Sequence, residues 1–93
     1  MRKIIGQVTK EEAQEIHYLF TQKIIAEETL QSPPGPFKTP EFEATFIHSL
    51  SQIKMYYDTS FQMWWDKILN RENLEHYKEV NVDFFSGELY IDE

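Results

Sequence analysis

Between Pro33 and Pro36, three prolines and one glycine occupy four consecutive positions. Each proline fixes φ and lacks a backbone donor, so no helix can run through this segment. Whatever precedes and follows it folds as separate elements, and residues 31–38 read as a loop. The whole chain has 93 residues, which is one small domain, residues 1–93. A chain of that length buries somewhat under ~70% of its unfolded surface, enough for a single core but too little for a large internal pocket.

On the upstream side, Thr9-Lys10-Glu11-Glu12 has the form of a capping box, with acidic residues suited to the first turn of a helix. Ala13, Ile16, Phe20 and Ile24 follow at three- and four-residue spacing, widened by Leu19 and Leu30, which predicts a helix over 10–30. Downstream, Thr39-Pro40-Glu41 places an N-cap, a proline where its missing donor costs nothing, and an acid in the first turn. The second predicted helix, 40–70, carries Phe42, Phe46, Leu50, Ile53, Tyr57, Phe61, Trp64 and Ile68 on one seam, close to the 3.5-residue period of a coiled coil. It is longer than its partner by roughly 15 Å at 1.5 Å per residue. In an antiparallel hairpin the overhang is expected at its C-terminal end, among Phe61, Met63, Trp64, Trp65, Ile68 and Leu69.

The remaining chain supplies a cover for that end. Val80, Val82 and Phe84, and after Ser86-Gly87 also Leu89 and Ile91, alternate with polar or half-polar residues, so 79–92 reads as a β-hairpin. Lys3 to Val8 is short and β-branched; it reads as an edge strand or as an extended arm, paired within its own chain or swapped into a second copy. The expected fold class is α+β, mostly α: a long antiparallel helical hairpin with a small terminal β-hairpin and a candidate third, N-terminal strand.

Sixteen acidic against nine basic side chains leave a formal net charge of -7. That sign argues against nucleic acid and against anionic membranes as partners, since both need a basic face. From Glu72 to Glu93, seven acids stand against Lys78 alone, a potential that attracts a basic peptide or protein. The absence of cysteine excludes disulfides, thiolate metal sites and a cysteine nucleophile. The apolar run after Arg2-Lys3 stops at Gly6, short of an export signal, and no stretch approaches a membrane span. The expectation is a cytoplasmic chain, complete from its initiator Met.

No constellation of residues points to catalysis. His17, His48 and His76 lack any spacing that would place two ligands on one helical face. The neighbouring acids Glu11-Glu12, Glu27-Glu28 and Asp92-Glu93 fall on solvent faces or at the terminus, not in a closed site that would split their pKa values. Gly6, Gly35 and Gly87 are isolated, so there is no phosphate-binding loop. No cofactor and no metal are implied, and the chain reads as a non-enzyme.

What remains is the aromatic content, 15% of the residues. Tyr57, Phe61, Trp64 and Ile68 fit a core, whereas Met63, Trp65 and Phe85 sit off the helical seam or out of strand phase and suit an exposed patch. Phe61, Met63, Trp64, Trp65 and Phe85 are the candidate protein or peptide interface. The same surface read another way is the seam of a homodimer, in a structural or regulatory oligomer with no peptide ligand.

Three strings carry a family resemblance: Lys3-Ile4-Ile5-Gly6-Gln7-Val8-Thr9 before an acidic helix, Phe61-Gln62-Met63-Trp64-Trp65-Asp66-Lys67, and Val82-Asp83-Phe84-Phe85-Ser86-Gly87-Glu88-Leu89-Tyr90. Together they resemble the small accessory proteins of Cys-x-x-x repeat peptide modification systems. The resemblance implies a non-catalytic helper working beside a radical-SAM maturase on a cysteine-repeat precursor peptide. It brings no catalytic residues with it.

Overall fold

The computed structural model describes residues 1–33 and 35–93. Its elements are β1 (Arg2–Gln7), α1 (Lys10–Gln31), α2 (Pro40–Arg71), β2 (Asn81–Val82) and β3 (Glu88–Asp92). This is the α+β, mostly helical class expected from the sequence. The loop placed at 31–38 begins one residue later, and its Pro34 lies outside the described residues.

Both helix starts follow from their caps. The Glu12 N–H donates to Thr9 Oγ1 at 3.1 Å while Glu12 Oε1 accepts the Thr9 N–H at 3.0 Å, the reciprocal pair of a capping box. At α2, Thr39 Oγ1 accepts the Phe42 N–H at 3.0 Å and Pro40 opens the first turn. The C-terminus of α2 has its own device. Asn73 takes a positive φ of 58°; its N–H donates to the Asn70 carbonyl and the Leu74 N–H to the Leu69 carbonyl, at 3.3 and 2.9 Å. That is a Schellman closure, and it folds the buried side chain of Leu74 back against the end of the helix.

The two helices pair antiparallel, but with an axial offset opposite to the expected one. Glu12 meets Arg71, the rings of Phe20 and Phe61 lie 6.2 Å apart, and Lys54 Nζ lies 3.8 Å from Glu27 Oε1. The start of α1 is thus level with the end of α2, and the overhang falls at the N-terminal end of α2, beyond Gln31. Eight residues separate the helices, and a connection of that length can reach ~26 Å, so it does not hold the two helix ends flush. The position is set at the opposite end, where Trp64 and Ile68 pack with Ile16 and the sheet. Over the overhang, Phe37 folds back onto Phe42 and Phe46, with ring centroids 6.0 and 5.3 Å apart. The molecule is correspondingly elongated, 51 × 24 × 23 Å.

The sheet is antiparallel with strand order β1-β3-β2. β1 pairs with β3 of its own chain, Arg2 opposite Asp92 and Ile4 opposite Tyr90, with a register shift between Ile4 and Gly6. β2 is shorter than the predicted hairpin arm, because the Asp83 carboxylate captures the N–H groups of Phe85 and Ser86 at 2.9 and 3.0 Å and turns the chain early. Phe84 consequently lies in a turn, not in a strand. Gly87 closes the turn at φ 77°, donating its N–H to the Asp83 carbonyl at 2.8 Å.

The core gathers at the sheet end: Val8, Ala13, Ile16, Leu19, Trp64, Ile68, Leu74 and Leu89. The β elements therefore dock where the Trp-rich part of α2 was expected to receive them. No helix is long and apolar enough to cross a membrane among the described residues.

Candidate protein interface

The five candidate residues do not form one continuous surface. Phe61 and Trp65 are four apart on α2 and line a cleft of about 360 Å³ between the helices and β2. Met63 stands on another side of the helix, 65% exposed, on the rim of a second depression shared with Tyr18, Tyr56 and Lys67. Trp64 is only 2% exposed. It faces α1 with Ile68 one turn on, so it belongs to the core and, contrary to the interface role expected from the sequence, presents no anchor to a partner. The indole N–H of Trp64 meets no acceptor among the described residues.

Phe85 is 93% exposed, yet the turn that carries it is held by several hydrogen bonds. Asp83 Oδ1 accepts two N–H groups under it, Gln7 Nε2 donates to the Ser86 carbonyl at 2.7 Å, and the Val8 N–H donates to the Gly87 carbonyl at 2.8 Å. Ser86 Oγ further bridges to Glu88. A rigid turn thus projects a bare aromatic ring. The hydrogen bonds from Ser86 and Phe85, with the Arg2 guanidinium 3.2 Å away, lower the pKa of Asp83 and keep it ionised.

The preceding residue, Phe84, points the other way. Its ring stacks on His17 with centroids 4.6 Å apart and tilts against Phe20 at 5.7 Å. Phe20, Phe61, Trp65 and Phe84 wall the cleft, and Val80 and Val82 lie along its strand side. Phe20, Phe84 and the strand edge were not among the sequence candidates. Asp83, three residues before Ser86, was the available signal: an Asx turn there takes Phe84 out of the strand.

Each histidine has a neighbour but no metal-ligand geometry. His17 stacks on Phe84, His48 Nε2 lies 3.2 Å from Gln52 Nε2, and His76 lies against Tyr77. Among the described residues no three His, Cys, Asp or Glu side chains converge on a point that would hold a metal ion.

Fold and site together define a helical hairpin closed at one end by a small antiparallel sheet, with an aromatic cleft and a projecting phenylalanine at that end. No family model, no curated protein and no solved structure matches the chain.

Proposed function

We propose that this chain is a non-catalytic binding protein that engages another protein or peptide through the sheet end. The observation that carries the reading is Phe85. An almost fully exposed ring on a turn fixed by several hydrogen bonds loses little entropy on docking, which is the property of an interface anchor. The cleft of Phe61 and Trp65 adjoins it through Phe84. The acid-rich stretch from Glu72 to Glu93 favours a basic partner by electrostatic steering. The resemblance of the terminal strings and the Phe61 to Lys67 string supports a cytoplasmic accessory role beside a radical-SAM maturase acting on a cysteine-repeat precursor peptide. Calorimetric titration of the chain with such a maturase and with its precursor peptide tests this. Binding that Phe85→Ala weakens at least tenfold, with an unchanged melting temperature, supports it; equal binding by the variant removes its basis.

A second reading rests on a different surface. Phe42, Ile53, Tyr56 and Met63 are exposed at spacings of 11, 3 and 7 residues along α2, so they share one face of that helix. We propose this stripe as the seam of a homodimer. Sedimentation at several protein concentrations tests it, with Ile53→Glu expected to abolish any dimer.

A further inference from the structure

The two outer edges of the sheet are treated differently by the sequence. β1 carries Arg2 and Lys3 and is interrupted by the irregularity between Ile4 and Gly6, devices that discourage pairing with another chain. β2 has neither a bulge nor a basic residue between Glu79 and Asp83. The Asp83 N–H donates to the Glu88 carbonyl at 2.9 Å, which phases the ladder: Asn81 and Tyr90 exchange hydrogen bonds, and the N–H and C=O of Val82 turn away from β3. Val80, two residues earlier, shares that direction. No described residue hydrogen-bonds the outward backbone groups of Val80 or Val82.

We infer that an extended peptide segment of a partner protein adds to the sheet as a strand on β2, its alternate side chains entering the cleft of Phe20, Phe61 and Trp65. This deepens the binding reading above and rests on it. Strand addition fits because the outward backbone groups supply main-chain hydrogen bonds while the adjoining aromatic cleft supplies a side-chain pocket. The segment is apolar at alternate positions and basic at its flanks. Glu79 lines the cleft and Glu75 lies exposed before it, two acids against the one exposed Lys78 between them, whereas Lys23, on the helix side near the Phe61 ring, is already paired with Glu27 at 3.6 Å. A second copy is a poorer occupant: antiparallel pairing of β2 with β2 brings Glu79 of one copy towards Asp83 of the other, and although Arg2 lies 3.2 Å from Asp83, Glu79 has no ion-pair partner among the described residues, so like charge opposes such pairing.

The test titrates the isotopically labelled full chain with an acetylated, amidated Lys-Lys-Val-Thr-Val-Thr-Val-Lys-Lys peptide, followed by amide NMR shifts and hydrogen exchange. Saturable shifts and slowed exchange at the Val80 and Val82 amides are expected, with a shift of the Trp65 indole. A copy N-methylated at alternate residues on its pairing edge, and a copy flanked by Glu, should each bind at least tenfold more weakly. Val82→Pro removes the outward donor without touching the ladder and should weaken binding similarly; the N-methylated peptide makes the same test without altering the protein. Equal binding of the N-methylated peptide overturns strand addition. Shifts at Phe85 with Val80 and Val82 still exchanging freely overturn it too, while leaving the binding reading in place. Protection of Val80 and Val82 that grows with protein concentration alone replaces the peptide by a second copy. No saturable shift anywhere overturns the strand proposal, and the maturase titration then decides the broader reading independently.

Discussion

Glu12 lies in the fork of Arg71, with Nη1 to Oε2 at 2.5 Å and Nη2 to Oε1 at 3.1 Å, while the same carboxylate accepts the Thr9 N–H. One side chain thus caps α1 and fastens it to the last turn of α2, 59 residues away in sequence. The paired arrangement is bidentate and charge-assisted, the stronger form of such contacts.

The hydrogen bond from Arg71, followed by the N–H of Thr9 and the cationic charge, holds the Glu12 carboxyl down to about 2, from an ordinary 4.5. A carboxyl depressed in the folded state stabilises it fully above the unfolded value and loses that contribution as pH falls. The stabilisation is therefore complete above about pH 4.5 and disappears between there and about 2. Because Arg71 is partly exposed, solvent screening limits it to about 1 kcal/mol. Glu12→Gln should lower stability by that amount at pH 7, and the two proteins should converge near pH 2, as read by urea denaturation at a series of pH values.

Gly87 is the glycine the turn cannot replace. Its φ of 77° disfavours any L side chain, and an added Cβ would lie 2.7 Å from the Val8 carbonyl oxygen. Gly87→Ala should cost about 2 kcal/mol or more, beyond the ~1 kcal/mol of the backbone preference alone, and should lower the thermal midpoint by several degrees. By contrast, a Cβ added at Gly35 would meet nothing within 4 Å among the described residues, and Gly35→Ala should leave that midpoint unchanged.

Adjacent residues on α2 should respond very differently to truncation. Trp64→Ala empties the centre of the core and should cost about 3 to 5 kcal/mol, a large part of the stability of a domain this size. Met63→Ser touches only surface and should stay within about 0.5 kcal/mol. Chemical denaturation of the two variants checks both values, and tryptophan emission should show Trp64 as the shielded indole.

Asp83→Ala removes the acceptor shared by the Phe85 and Ser86 N–H groups. The amides of the turn should exchange with solvent markedly faster while those of α1 and α2 stay protected. Binding through Phe85 should weaken because the ring is no longer held out in one position. Asp83→Asn, which keeps a side-chain carbonyl at the same place, should restore much of the protection.

Local chemistry was legible in the sequence where one residue governs one element. Thr9 with Glu12, and Thr39 with Pro40, located both helix starts because a cap acts within a single turn. The period of the α2 seam revealed its length but not its axial position against α1, since sliding two amphipathic helices by a few turns leaves either pattern intact. That offset depends on Glu12 and Arg71 and on the packing of Ile16 with Ile68, contacts that only the folded chain makes. The same limit applied to the candidate interface. Met63, Trp64 and Trp65 are consecutive, yet their positions around the helix send one outward, one into the core and one to the cleft. Phe84 and Phe85 were separated by the hydrogen bonds that the Phe85 and Ser86 N–H groups donate to the Asp83 carboxylate, which overrode the alternation expected of a strand.

β1 and β3 join residues some 85 positions apart: the Lys3 and Ile91 positions are partners, and the Glu93 N–H donates to the Met1 carbonyl at 2.8 Å. Closing so long a loop in a disordered chain carries a large entropic cost before any strand contact forms. Folding α1 against α2 first shortens that separation to the width of two helices. Loop-closure entropy alone predicts that the helical hairpin, whose contacts span up to 59 residues, forms before the strand pairing that spans more than 80. Changes in the Pro-rich connection should therefore alter the folding rate, whereas loosening β1 should chiefly speed unfolding.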